Sequence, residues 1–186
     1  MSEQQPQTST EARPLAALED AEPDAPQVGI IMGSQSDMDT MQAAAKVLEE
    51  HGVRSEIRVM SAHRDPDTVA DYCRNARMRG LKVLIAGAGL SAALPGVSAA
   101  HTDLPVIGVP LSSRLSAAGG LDALLSVAQM PPGVPVACVG LDNAKNAGHL
   151  ALHGHPRRVL PLPRGALHLH RRRRRSDRDR PRHHRL

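Results

Sequence analysis

The chain has 186 residues, room for one ordinary α/β domain with tails and a real core. It contains no Trp, no Phe and one Tyr, which argues against any function that stacks bases or a flavin on aromatic rings and leaves the core to Ala, Val, Leu, Ile and Met. The formal net charge of +4 joins unlike parts: residues 1–26 carry six acids and one Arg, residues 27–156 ten Lys/Arg and eleven Asp/Glu, and residues 157–186 twelve Arg and two Asp, so the positive charge says little about what the body binds.

Residues 1–26 are polar, acidic and broken by prolines, and read as a disordered leader. They lack the basic and apolar regions of a secretory signal, and no apolar run reaches membrane-spanning length, so a soluble cytoplasmic protein is expected. The pattern changes at Gln27. Val28 to Met32 is an apolar strand, and Gly33 permits an unusual backbone at its end. Ser36, with Asp39 three residues on, makes a capping-box pattern at the start of a helix whose apolar stripe is Met38, Met41, Ala45 and Leu48 and which stops at His51-Gly52. Arg54 to Met60 alternates as a second strand. In Ser61-Ala62-His63-Arg64-Asp65-Pro66, Asp65 is a cap and Pro66 a first helical residue, and the helix runs to about Gly80 with Val69, Tyr72, Cys73 and Ala76 inward.

Lys82 to Ala86 is a third strand, followed by a small-residue loop, Gly87 to Gly96, that leads into a short helix. Val106 to Val109 is strand four, Pro110 to Gly120 a Ser/Ala/Gly loop, Leu121 to Ala128 a helix stopped at Pro131-Pro132-Gly133, and Val134 to Val139 strand five. Asp142 to Asn146 opens a last helix. Short apolar strands alternating with amphipathic helices predict an α/β fold with a five-stranded, mostly parallel sheet covered on both faces. Ligands of such sheets sit beyond the carboxyl ends of the strands. The loops Gly33–Asp37, Ser61–Arg64, Gly87–Leu94, Pro110–Gly120 and Leu141–Asn146 all belong to that edge and are expected to converge there.

The chemistry in these loops is narrow. Ser34, Ser36 and Ser61 supply hydroxyls, Arg64 a forked cation suited to phosphate, Asp37 an acceptor suited to sugar hydroxyls, and His63 the side-chain type that titrates nearest neutrality. A helix start beside Gly33 favours an anion, although the same pattern serves as an ordinary cap. A histidine in a core is more often structural than catalytic, but His63 stands between Ala62 and Arg64 just past a strand end. The loop after strand three offers backbone groups, at Ala88 and Gly89, rather than side chains. Together these describe a phosphosugar site with one acid/base. There is no Gly-x-Gly-x-x-Gly, P-loop or Ser/His/Asp arrangement, so neither a dinucleotide nor an ATP-driven step is indicated. Cys73 and Cys138 lack metal-site spacing and read as reduced core thiols, and His149, His153 and His155 lack a completing Cys or carboxylate, so no metal is expected.

In order along the chain, Met32-Gly-Ser-Gln-Ser-Asp37, Ser61-Ala-His-Arg-Asp-Pro66, Ala86-Gly-Ala-Gly with Leu94-Pro-Gly96, Pro105-Val-Ile-Gly-Val-Pro110, Gly120-Leu-Asp-Ala-Leu-Leu-Ser126, Gln129-Met-Pro-Pro-Gly-Val-Pro-Val136 and Asn143-Ala-Lys-Asn-Ala147 resemble the PurE family of purine biosynthesis. The resemblance covers roughly Val28 to Gly148. It implies a three-layer flavodoxin-like (Rossmann-like) fold, assembly into a homo-octamer, and a mutase that moves a carboxylate from the exocyclic nitrogen to ring carbon 4 of an aminoimidazole ribonucleotide, with no metal or organic cofactor. A carboxylase using carbon dioxide directly is the family alternative, and a non-catalytic nucleotide or nucleic-acid binder the distant one. The positions matching Ser34, Asp37 and Arg64 are implied to bind the nucleotide and that matching His63 to shuttle the proton. Ser36, Ser61, Ala62, Ala88, Gly89 and Leu94 are implied to line the same pocket, one closed and dry enough to hold released carbon dioxide.

Two departures from the family pattern stand out. Many bacterial mutases read Gly-Gly-Ala-Ala-His-Leu-Pro-Gly after strand three, where this chain reads Gly89-Leu-Ser-Ala-Ala-Leu-Pro-Gly96, so Ala93 occupies the place of a second histidine and Ser91 is the nearest substitute. After Asn143-Ala-Lys-Asn-Ala147 the family continues with an Ala/Leu-rich helix, where this chain reads His149-Leu-Ala-Leu-His-Gly-His-Pro156 and then an Arg/His/Pro-rich tail, 157–186; from Pro156 the composition resembles a GC-rich gene read in another frame. Twelve Arg would hold phosphate backbones without sequence preference, and specific nucleic-acid binding is not expected.

Overall fold

The computed structural model describes residues 25–153; the Arg-rich tail, His155 and all but the last two residues of the acidic leader lie outside the described residues. Five strands, β1 (Val28–Met32), β2 (Ser55–Val59), β3 (Val83–Gly89), β4 (Val106–Leu111) and β5 (Ala137–Cys138), form one sheet in the order β2-β1-β3-β4-β5 with every neighbouring pair parallel. Parallel neighbours need crossovers, and the helices supply them: α1 (Met38–Glu50), α2 (Pro66–Arg74), α3 (Leu94–Ala100), α4 (Leu121–Ala128) and α5 (Ala144–His153). The chain winds one way from β1 to β2 and the other way from β3 onward, so the order reverses between β1 and β3. Strand ends diverge at such a reversal and leave a crevice.

Two apolar clusters give the three layers. Ile30, Met32, Ile85 and Val109 pack with Met41, Val47 and Leu48 of α1 and Ala147 and Leu152 of α5 on one face. On the other, Ile31, Leu84 and Val106 meet Val69, Tyr72 and Cys73 of α2, Leu94 of α3 and Val127 of α4. With no Phe or Trp to fill space, helices approach closely. A Cβ added to Gly148 would stand 2.9 Å from the carbonyl oxygen of Ala44, so α5 lies on α1 with almost nothing between the backbones. No helix of the described residues is long and apolar enough to cross a membrane.

Several boundaries move from their sequence positions, each for a local reason. The α1 stripe is Met41, Ala44, Val47 and Leu48, with Met38 and Ala45 half-buried at its edges. Helix α2 stops at Arg74, where the Asn75 side chain turns back on Asp71, and a single 3-10 turn, Arg77–Arg79, carries the chain to Gly80 in the left-handed region. Strand β3 runs three residues further than its apolar core, because Gly87, Ala88 and Gly89 pair with Val109, Pro110 and Leu111 of β4. Strand β5 shrinks to two residues: Pro135 has no N–H to give a ladder, and Pro131-Pro132-Gly133 turns the chain just before it.

Candidate functional site

At the carboxyl ends of β1 and β3 the strand order reverses, and short hydrogen bonds gather the first two loops there. Met60 N donates to Met32 O at 2.8 Å and Gly33 N to Gly87 O at 3.3 Å, so the segment after β2 is tied beside the turn after β1 and that turn beside β3. The turn is not capped as its sequence suggests. Ser34, in extended backbone, is the cap: its hydroxyl accepts from Ser36 N at 3.3 Å over the 3-10 turn Gln35–Asp37 that precedes α1. Ser36 caps nothing; its hydroxyl donates within 2.9 Å of Ser34 Oγ and lies 3.3 Å from Asp37 Oδ1. One extra turn before the α-helix moved the cap two residues upstream.

In the second loop Ser61 Oγ accepts from Arg64 N at 3.4 Å, Asp65 N donates to Ser61 O at 2.9 Å, and Asp65 caps α2 through Thr68 N as expected. The Arg64 guanidinium reaches across to donate to the Gly33 carbonyl, which uses one of its five N–H groups. Burial pushes the Asp37 carboxyl up from its usual range, against hydrogen bonds from Ser36 and Ser34 and the charge of Arg64, which pull it down.

All ten residues singled out from the sequence line one cleft of about 440 Å³: Ser34, Ser36 and Asp37 from the first loop, Ser61, Ala62, His63 and Arg64 from the second, and Ala88, Gly89 and Leu94 from the end of β3 and the start of α3. Ser91 and Ala93 lie in its wall as well. A larger hollow of about 600 Å³, between the end of α1 and the start of β2, is lined by Pro26, Glu49, Val53 and their neighbours and contains none of these side chains. The cleft is not closed, however, since His63 and Arg64 are exposed. The expectation of a sealed, dry pocket is not met by the described residues, because the walls are loops and element ends at one sheet edge and none of the described residues stands over them.

The fourth loop adds residues that sequence reading left unnamed. Leu111, Ser112, Ser113 and Leu115 form the wall beyond β4, and Leu90, at φ 57°, turns the chain between β3 and α3. Two serines directly after an apolar strand were the available signal. The fifth loop, Leu141–Asn146, does not line the cleft; it stands behind that wall, where Asp142 accepts from Ser112. Asn143 caps α5 through Asn146 N at 3.1 Å.

Among the described residues no group of three or more His, Cys, Asp or Glu side chains is arranged to hold a metal ion. His149 packs edge-on against His51, ring centroids 6.0 Å apart. Cys73 and Cys138 are free thiols, both raised by burial, and neither lines the cleft. Tyr72 is committed elsewhere, its hydroxyl donating to Glu56 Oε1 at 2.9 Å beneath Arg79, and its ring does not line the cleft.

A family model described as AIR carboxylase matches residues 27–156. The N5-carboxyaminoimidazole ribonucleotide mutase of Pyrococcus abyssi is 60% identical over 127 residues, 68% of this chain and 72% of that protein. The mutase of Thermotoga maritima is 57% identical over 126 residues, 68% of this chain and 72% of that one. The crystal structure of Treponema denticola PurE superposes with a TM-score of 0.60 at 33% identity, covering 69% of this chain and 78% of that chain.

Proposed function

The chain belongs to the AIR carboxylase family, and on that premise we propose that it is an N5-carboxyaminoimidazole ribonucleotide mutase, a cytoplasmic isomerase of purine biosynthesis. The observation that carries the reading is the single cleft in which a serine-rich turn, an arginine, a carboxylate and one histidine meet at the strand-order reversal. The Gly33–Asp37 turn and Arg64 hold the ribonucleotide's phosphate with backbone and guanidinium donors, and Asp37 accepts from the ribose hydroxyls. Ser36, Ser61, Ala62, Ala88, Gly89 and Leu94 shape the space for the imidazole.

The reaction breaks the bond between the exocyclic nitrogen and its carboxylate and forms one between ring carbon 4 and the same carbon atom. One proton passes from carbon 4 to the nitrogen. His63 serves both transfers: it gives a proton to the nitrogen as carbon dioxide departs, and takes the proton from carbon 4 once the new carbon–carbon bond has formed. No net proton is consumed, so a single acid/base suffices. Carbon dioxide must stay in place between the two halves, and the open mouth beside His63 supports assembly into a homo-octamer in which neighbouring chains cover it.

His63→Asn tests the assignment. Turnover is expected to fall by at least about a thousandfold, toward the loss of one general acid/base, with ribonucleotide affinity within about threefold of wild type. Loss of binding together with loss of folding would instead make His63 a structural residue.

A further inference from the structure

The wall of the cleft beyond β4 is held by a clamp that the reaction above does not use. Asp142 Oδ1 accepts from Ser112 N at 2.8 Å and its Oδ2 from Ser112 Oγ at 2.6 Å, across thirty residues of sequence. Asp142 N in turn donates to Pro110 O at 2.9 Å, two residues before Ser112. Its φ of 56° lies in the left-handed region, which Asp and Asn tolerate and most residues avoid. The backing is tight as well: Gly120, at φ 105°, has no room for a side chain, since a Cβ there would stand 2.8 Å from Leu141 and 3.3 Å from the Ser112 Cβ. By contrast, among the described residues Ser113, Leu115 and Ser116 bond with one another. Past the end of β4, Ser112 therefore ties this wall to the loop before α5.

The clamp also sets the polarity of the hydroxyl. A serine hydroxyl has one proton and two acceptor positions. With the proton given to Asp142 at 2.6 Å, only acceptor positions remain for the cleft. We propose that Ser112 is a substrate-binding residue that accepts a hydrogen bond from an N–H donor of the substrate, and that Asp142 is the positioning residue that holds its hydroxyl in that sense. This inference rests on the ribonucleotide reading; an aminoimidazole carries such a donor on its exocyclic nitrogen, whereas the neighbouring hydroxyls Ser34 and Ser36 are engaged with each other.

The test is steady-state kinetics on N5-carboxyaminoimidazole ribonucleotide for wild type, Ser112→Ala, Asp142→Asn and the double variant, with thermal midpoints measured alongside. Asn keeps the left-handed backbone and an acceptor for Ser112 N, but its NH2 now donates to Ser112 Oγ and turns the hydroxyl proton toward the cleft. The inference predicts that Ser112→Ala raises KM about tenfold and that Asp142→Asn raises it as well, with kcat and thermal midpoint little changed. It predicts a double variant no worse than Ser112→Ala, because both act through the same hydroxyl: one removes it, the other takes one of its two acceptor positions and frees its proton for the cleft. Asp142→Asn with wild-type KM, or a double variant showing the product of the two single effects, overturns it while leaving the mutase reading intact. A wild-type chain that neither turns over nor binds the ribonucleotide removes that reading, and this inference with it.

Discussion

Asp37, the proposed acceptor for the ribose hydroxyls, works against the fold that carries it. Burial raises its carboxyl, and Ser36, Ser34 and Arg64 offset only part of that. A carboxyl whose folded pKa lies above its unfolded value holds its proton more tightly in the folded chain. Its ionisation therefore opposes folding progressively as pH rises from the unfolded value through the folded one, and above the folded value the full cost is present. Asp37→Asn is predicted to leave the thermal midpoint at pH 7 unchanged or raised while ribonucleotide affinity falls; a large drop in the midpoint would make Asp37 a structural residue. At this scale the sequence was readable wherever one short motif carried the chemistry. Ser34 and Asp37 lie in a run that follows the apolar strand β1, His63 and Arg64 in one that follows the alternating strand β2, and all line the cleft. Ser112 and Asp142 were not readable, because a serine is common in loops and its partner lies in another loop, across two further elements. The Ser36 cap failed for a subtler reason: sequence spacing does not show that a 3-10 turn precedes the α-helix.

Among the elements, β3 and β4 bear most directly on the site. Their last paired residues, Gly89 and Leu111, are both cleft walls, and a Cβ on Gly89 would stand 2.9 Å from the Leu111 carbonyl oxygen. Backbone cannot rotate aside as a side chain does. Gly89→Ala is thus expected to spread the two strand ends, costing about 1–3 kcal/mol of stability and raising KM, with denaturant unfolding and steady-state kinetics as the readouts. Gly-Ala-Gly read as loop because small residues have little preference for strands; pairing of all three with β4, and of Gly87 with β1 as well, decided otherwise. Local chemistry shortened β5: Pro135, two residues before it, takes one donor out of the strand-like run. Long apolar runs and amphipathic stripes, by contrast, located β1, α1 and α4 closely, since a strand buried on both faces or a helix buried on one imposes its period on the sequence.

For the molecule as a whole, the parallel order β2-β1-β3-β4-β5 was legible as a class from alternating strands and helices, and it accounts for why one edge gathers the chemistry. What one chain's sequence does not encode locally is cover for that edge. His63, Arg64, Ser112 and Leu115 are exposed in the isolated chain. If neighbouring copies supply the cover, activity should follow assembly: dilution that splits the oligomer, followed by sedimentation, is predicted to lower kcat in step with the assembled fraction, and full activity in a monomer would contradict the octamer. The most direct measurement of the whole account offers the purified full-length chain N5-carboxyaminoimidazole ribonucleotide and, separately, aminoimidazole ribonucleotide with bicarbonate, and follows the 4-carboxylated product. The mutase account predicts product from the first at a rate well above the second. Product formed faster from the second, or from neither, would contradict it.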